Sequence, residues 1–193
     1  MKMDDSQTGH HTLNMLIPIE LIERVEIIKG PAARIFGQNA FNGAINIVTK
    51  SAYKTRKGEF SAFLNNISGG SFGNFKYSVR GNISKDNYKG LINYSREKSN
   101  GYRYNTDYKT DNLFLKSSLS KNNPNTIVLA TLSNRKFGAN GFYASPDATD
   151  QYEETQTSLI GIYSRYSSGN LIIKPKIYWR RNQDEYIYVR SDP

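Results

Sequence analysis

Cysteine is absent from this 193-residue chain, histidine occurs twice and tryptophan once. Without cysteine there is no disulfide framework, no thiolate metal site and no thiol nucleophile. The two histidines, His10 and His11, are adjacent, so imidazole-based zinc or triad chemistry has almost nothing to use. No run of about 18 apolar residues occurs, which excludes a transmembrane helix. The first residues, MKMDDSQTGHH, lack the basic, apolar and small-residue regions of a secretory signal. The formal charge is +9, yet the lysines and arginines are scattered rather than gathered into one block, which weakens a nucleic-acid reading. Asp147, Asp150, Glu153 and Glu154 form an acidic cluster of the kind that is ordinarily just solvated. No catalytic residue, cofactor or protein-ligated metal is expected.

What the chain does have is alternation. Only 37% of it is hydrophobic, but aromatics reach 12%, with 14 tyrosines. In FKYSVRGNIS, Phe75, Tyr77, Val79, Gly81 and Ile83 share one parity, and Lys76, Ser78, Arg80, Asn82 and Ser84 the other. On a strand those two sets face opposite ways. The segment from Leu171 repeats the pattern: Leu171, Ile173, Pro175, Ile177 and Trp179 oppose Lys174, Lys176, Tyr178 and Arg180. Pro175 removes a ladder donor, so a bulge or a strand edge is expected there. Such segments lie near 58–68, 74–85, 88–98, 110–120, 125–134, 155–166 and 170–181; those near 127 and 160 alternate poorly.

Short polar turns at 85–87, 121–125 and 167–170 separate these segments from longer loops at 99–109 and 135–154. In an up-and-down meander alternate connections emerge at opposite ends, so one end carries turns and the other carries aromatic loops. Strands of about ten residues with this asymmetry are the pattern of an outer-membrane β-barrel. A soluble antiparallel sandwich also alternates. Tyr77, Tyr88, Tyr94, Tyr163, Tyr166, Tyr178 and Trp179, in or near the strands, favour the barrel by supplying an interfacial girdle.

The most apolar stretch is IERVEIIKGPAARIFGQNAFNGAINIVTK, residues 22–50. Gly30-Pro31 can turn the backbone sharply and open a helical turn, and Gly37 can close that turn in a left-handed conformation. Gly43 then precedes a second apolar strand. This stretch resembles the C-terminal half of the plug domain of TonB-dependent outer-membrane receptors. Their pattern runs Ile-Glu-Arg-Ile-Glu-Val, a basic residue, Gly-Pro, small residues, aromatic-Gly, then Gly-Gly-Val-Ile-Asn-Ile-Ile-Thr-Lys. Ile22 to Pro31, Phe36-Gly37 and Gly43 to Lys50 follow it; Asn42, where the family has the first glycine of a pair, departs from it.

The resemblance implies a mainly β chain: the C-terminal part of a small α+β plug at 1–50, a linker at 51–57, and about seven antiparallel amphipathic strands of an incomplete transmembrane barrel at 58–193. Barrels of this kind use about 22 strands, so the expectation is a piece of a receptor. Its signal peptide, the box that recruits the energy-transducing TonB complex and the first plug half would lie upstream. The resemblance also implies an outer-membrane location, contact with outer-membrane lipid, and uptake of a metal chelate, either cobalamin or a ferric siderophore, with no nucleic acid. Glu23, Arg24, Glu26 and Lys29 become candidates for docking the plug on the barrel wall. His10 and His11, ahead of IPIELIERV, become candidate ligand contacts, as do Tyr102, Arg103, Tyr104, Asn105, Phe142 and Tyr143 in the loops. Two alternatives stand beside this: a small autonomous barrel or adhesin, and a soluble basic β-domain that holds an anionic polymer through Lys76, Arg80, Arg96, Lys116, Lys174 and Arg180.

Overall fold

The computed structural model describes residues 17–31, 40–52, 60–120, 125–143 and 145–191. Gly37 and the expected helical turn, His10, His11 and most of the linker lie outside the described residues. Two sheets are present. β1 (Ile22–Lys29) and β2 (Gly43–Thr49) form a small antiparallel pair, preceded by one 3-10 turn at Ile19–Leu21. The large sheet holds β3 (Phe60–Gly69), β4 (Phe75–Lys85), β5 (Tyr88–Ser99), β6 (Tyr108–Ser120), β7 (Asn125–Gly138), β8 (Tyr152–Ser168), β9 (Leu171–Ile173) and β10 (Lys176–Ile187). Each strand pairs antiparallel with its neighbour in sequence, except that β9 and β10 both lie along β8. Together they make one strand broken at Lys174-Pro175, where the missing proline donor was expected to force an irregularity.

The glycines of the small pair are needed for their backbone shape. Gly30 sits at φ +86° and its N–H donates to the carbonyl of Asn42 at 3.2 Å. Gly43 sits at φ +149°, and a β-carbon there would lie 2.4 Å from the carbonyl oxygen of Ile28.

The loops at 100–107 and 139–151 and the β3–β4 connection at 70–74 share one end of the large sheet; Asp86-Asn87 and Gly169-Asn170 lie at the other. The second long loop is shorter than its composition suggested, because β7 continues to Gly138 and β8 begins at Tyr152. Polar residues such as Lys136 and Glu154 extend these strands, which periodicity of apolar residues cannot detect.

Register separates the two faces. On the outer face, one row runs through Val79, Tyr94, Leu113 and Leu132 and ends in Ser158 and Arg181. The next is Ala62, Gly81, Ile92, Leu115, Ala130, Ile160 and Trp179, and the third includes Phe60, Ile83, Val128, Ile162 and Ile177. Where a glycine interrupts a row, a neighbour covers it: the Phe60 ring lies where a β-carbon on Gly81 would be, at 2.9 Å. Tyr77, Tyr88, Tyr94, Tyr166 and Trp179 flank or join this apolar belt. Tyr163 and Tyr178 do not: they pair with Ile127 and Gly161 on the inner face, so they leave the expected girdle.

The inner face is polar and, over β4–β8, largely covered. Ser78, Arg80, Asn82, Asn93, Ser95, Thr131, Ser133 and Thr157 are all buried. The poor alternation near 127 and 160 has its cause here. Leu129 and Leu159 face inward, and Leu91, Phe114 and Leu129 pack against Ile17, Leu21, Ile22 and Ile47 of the small unit. Apolar residues occur on the polar face where that unit sits.

Two adjacent substitutions check this assignment of faces. Phe114→Ala should cost about 3–5 kcal/mol by opening a cavity under Leu21. Leu115→Arg should cost about 2–4 kcal/mol by placing a cation at mid-belt. Denaturant titration of the full-length protein in lipid measures both, and a tolerated Leu115→Arg would reject the lipid-facing assignment.

Candidate functional site

The small unit is held on the inner face mainly by cations reaching from the sheet to backbone carbonyls. Lys116 on β6 donates from Nζ to the Thr49 carbonyl at 2.8 Å, to Thr49 Oγ1 at 3.0 Å and to the Lys50 carbonyl at 3.2 Å. Arg80 on β4, 1% exposed, donates to the Ser51 carbonyl at 3.2 Å and lies over the Phe63 ring at 5.7 Å. Lys76 lies between Glu20 of the small unit, at 3.5 Å, and Glu97 of β5, at 3.6 Å. Within the unit, Lys50 closes the clasp: its N–H donates to the Leu21 carbonyl and its Nζ to the Glu20 carbonyl, each at 2.8 Å.

Glu23, Arg24 and Glu26 behave differently. Arg24 pairs along its own strand with Glu23 at 3.0 Å and with Glu26 at 2.8 Å. Asn46 donates to Glu26 at 2.7 Å; that bond first, and Arg24 second, holds the Glu26 carboxyl below the usual carboxylate range. Lys29 is exposed. Glu23 also attracts Lys116 on β6 electrostatically, and the sheet meets Glu20, Thr49, Lys50 and Ser51 as well, which the sequence did not point to. Their main contacts are backbone carbonyls, and those leave no signature in side-chain chemistry. Lys76, Arg80 and Lys116 are thereby spoken for, which removes half of the cation set of the soluble anionic-polymer alternative.

Beside this seat, toward the loop end, a cleft of about 410 Å³ opens between Ile17-Pro18-Ile19 and the sheet. Lys76, Glu97, Asp107, Tyr108, Asn112 and Arg135 are among its polar lining. Tyr108 donates to Glu97 at 2.7 Å and accepts from Asn74 at 3.3 Å, which fixes the cleft wall to the β3–β4 connection.

Above the cleft the two long loops and the segment after β10 interlock. Asn105, at φ +49° and 8% exposed, donates to the carbonyls of Thr149 at 3.0 Å and Gln151 at 2.6 Å, and its Oδ1 accepts from Arg190 at 2.9 Å. Arg190 also forks onto Asp107 at 2.6 and 3.1 Å and lies over the Tyr152 ring at 4.3 Å. Tyr104 donates to Asp150 at 2.6 Å, and Ser191 reaches the same carboxylate from its N–H and its hydroxyl. These bonds, Tyr104 foremost, hold the Asp150 carboxyl below the carboxylate range; Asp150 in turn raises the Tyr104 phenol.

Of the loop residues expected to meet a ligand, Tyr102, Tyr104 and Phe142 are exposed, at 69%, 65% and 51%. Arg103 lies over the Tyr102 ring at 5.6 Å and donates to the Asn140 carbonyl at 3.3 Å. Tyr143 meets Phe142 edge-on at 4.8 Å and Tyr186 at 5.6 Å. Asn105 differs: both ends of its amide are engaged in joining three segments.

Comparison with known proteins adds to this geometry. Residues 1–44 match the family model of the TonB-dependent receptor plug domain. The chain is 33% identical to the ferric enterobactin receptor of Pseudomonas aeruginosa over 36% of this chain and 11% of that receptor. It is 41% identical to the ferrienterobactin receptor of Escherichia coli over 25% of this chain and 7% of that one. It is 31% identical to the vitamin B12 transporter BtuB of Vibrio vulnificus over 54% of this chain and 16% of that transporter. The matches thus span at most 16% of the length of these relatives. Among solved structures, the siderophore receptor PiuA from Acinetobacter baumannii gives a TM-score of 0.65 at 13% identity, over 87% of this chain and 27% of that chain. The copper transporter OprC gives 0.64 at 16% identity, over 82% and 25%. These two likenesses concern the fold.

Two predictions follow from the seat and the cap. Lys116→Met leaves three acceptors without their charged donor, a loss of about 1.5–3 kcal/mol; amide exchange at Lys50 and Leu21 in the full-length protein should accelerate, and unchanged exchange would refute the seat. For the cap, a depressed carboxyl contributes stability that is full above the ordinary carboxylate value of about 4 and is lost as pH falls through the lowered value. The raised Tyr104 phenol contributes below about 10 and loses its share as pH rises through its own raised value. Proteolysis of the 139–151 loop should therefore stay flat from mildly acid to mildly alkaline pH and rise at both extremes; a rise between pH ~5 and ~8 would contradict the Tyr104–Asp150 contact.

Proposed function

We propose that this chain, which carries a TonB-dependent receptor plug domain on the polar face of an outer-membrane barrel wall, belongs to a receptor that takes up a metal chelate. The observation that carries the reading is the seat itself. A small unit whose residues up to 44 match the plug family lies on a polar sheet face through charged hydrogen bonds at its C-terminal end, while the opposite face carries rows of mostly apolar residues. A soluble sandwich would invert this arrangement, and a small autonomous barrel has no use for a docked plug.

In this reading residues 1–50 are plug, 51–57 linker and 58–193 wall. The first and last strands of the sheet, β3 and β10, each have one neighbour among the described residues, and unpaired strand edges are not tolerated in hydrocarbon. Further strands of the intact receptor would close the wall, and the TonB complex would act through plug sequence upstream. The loop end faces outward from the cell and the turn end faces the periplasm.

The chelate is cobalamin or a ferric siderophore, and its metal stays inside the ligand. It would pass between Tyr102, Arg103, Tyr104, Phe142 and Tyr143, with Asn105 acting by holding the loops in place, and rest on the cleft at Ile17–Ile19. His10 and His11 are further contacts in this reading. Aromatic faces suit the apolar body of such a ligand, while arginine and lysine address its amides or carboxylates. Lys76 gives the cleft a link to the plug: a ligand anion there competes with Glu20 for the same ammonium and so bears directly on the seat.

Titration of the full-length receptor with ferric siderophores, cobalamin and a glycan panel tests this. Saturable binding of one of the two chelate classes is expected, weakened by Lys76→Gln. Saturable binding of a glycan with none of either chelate would falsify the assignment.

A further inference from the structure

The β3–β4 connection holds a backbone shape that one of its residues does not suit. Ser71-Phe72-Gly73-Asn74 is a tight hairpin turn: the Asn74 N–H donates to the Ser71 carbonyl at 3.1 Å, with Phe72 at φ +58° and Gly73 at φ +64°. Two-residue turns with both central residues left-handed strongly favour Asn-Gly, Asp-Gly and Gly-Gly. Among the described residues, three other than glycine are left-handed: Phe72, Asp86 and Asn105. Aspartate and asparagine tolerate this shape because a short polar side chain can bond locally. Phenylalanine has no such means, and a bulky residue there is an outlier.

Packing does not account for the ring, since Phe72 is 58% exposed. Nor does it prolong the apolar belt. Two rows rich in charge, Tyr77–Arg96–Asp111–Asn134 and Phe75–Lys98–Lys109–Lys136, separate the turn from the top apolar row Val79–Tyr94–Leu113–Leu132. The turn is nevertheless held firmly. The Phe72 carbonyl accepts from the Asn100 N–H at 2.8 Å and from the Ser99 hydroxyl at 3.4 Å, and the Gly70 N–H donates to the Asn74 carbonyl at 2.9 Å. A costly backbone shape that persists because its surroundings fix it points to a use for the side chain it presents.

The same bonds locate that use. Asn74, the last residue of the turn, donates to the Tyr108 hydroxyl at 3.3 Å, and Tyr108 and Lys76 line the cleft beside Ile17–Ile19. Asn100, whose N–H meets the Phe72 carbonyl, opens the loop that carries Tyr102 and Arg103. The turn therefore stands at the lip of the cleft, tied to its wall below and to the aromatic loop above.

We propose that Phe72 is a binding residue of the chelate site, its ring covering an apolar face of the incoming ligand. Asparagine or glycine would suit the turn better but would offer no such face. The inference rests on the uptake reading above and adds to it a contact from the shortest connection at the loop end.

Phe72→Asn in the full-length receptor tests this, because it should move stability and binding in opposite directions. With the left-handed cost reduced, amide exchange at Asn74 and Asn100 should slow on the order of 5-fold. Affinity for whichever of three probes the wild type binds (cyanocobalamin, a ferric tris-catecholate or a ferric tris-hydroxamate) should fall on the order of 10-fold. Phe72→Tyr, which keeps the ring, should preserve the affinity. Faster exchange in Phe72→Asn would show that the ring is retained for packing or anchoring and would overturn the proposal. Unchanged affinity in Phe72→Asn, with the wild type binding a probe, rejects the role of Phe72 and leaves the uptake reading standing. A wild type that binds none of the three rejects the uptake reading itself, and this inference with it.

Discussion

In the proposed reading the large sheet crosses hydrocarbon, where a strand can leave no backbone N–H or C=O unpaired, and the rest of the structure follows from that constraint. It requires each strand to lie between two others, and the large sheet keeps its ladders in unbroken register through β4 to β8. Its one interruption along β8 is at Lys174-Pro175, where the chain has no donor to give. Once lipid claims the outer face, apolar residues must go there, and the polar residues of each strand have only the inside left to fill. The inside is therefore wet and charged by default, and a plug that occupies it cannot be held by an ordinary hydrophobic core.

How such a plug is held can be followed residue by residue. The apolar contact is small: Ile17, Leu21, Leu91 and Phe114, with a few half-buried neighbours. Around it, Lys116, Arg80 and Lys76 reach the small unit at Thr49, Lys50 and Glu20 and the adjoining Ser51. A hydrogen bond with a charged donor is stronger than a neutral one but exchanges readily for water. The surface pairs of Arg24 with Glu23 and Glu26 contribute little by comparison, because both partners are solvated.

Much of this was legible in the sequence, for identifiable reasons. Strands β4 and β5 alternate cleanly because their outer face is mostly apolar at mid-strand and their inner face mostly polar, with Leu91 the exception under the small unit. The plug stretch was legible through Gly30-Pro31 and Gly43, whose backbone shapes few other residues could take. The weak alternation of β7 and β8 was informative: Leu129 and Leu159 both turn inward, and Leu129 packs against the apolar cluster under the small unit. Tyr163 and Tyr178 were misplaced because tyrosine suits an interface and a wet interior equally well. The seat was illegible for a different reason. Its acceptors on the plug are mostly backbone carbonyls, and which carbonyl meets which lysine depends on a fold that side-chain patterns do not encode. The role of Asn105 was hidden likewise, since a loop asparagine near tyrosines reads as a ligand contact until its three partners are seen.

The polar groups that are not satisfied complete the account. Under the plug, the side-chain nitrogens of Asn82 and Asn93 and the Oδ1 of Asn112 are buried with no protein partner among the described residues. Among the described residues the buried carboxylate of Glu20 makes no hydrogen bond and has the 3.5 Å ion pair with Lys76. A buried group left unpaired costs about 1–3 kcal/mol, so an interface selected for permanence would have paired these or replaced them with apolar residues. Keeping several of them lowers the net stability of the seat while leaving each contact specific. In the proposed reading, separating the plug from the wall would rehydrate groups that lack partners among the described residues. An interface built this way holds one geometry firmly enough to shape a cleft and weakly enough to be pulled apart.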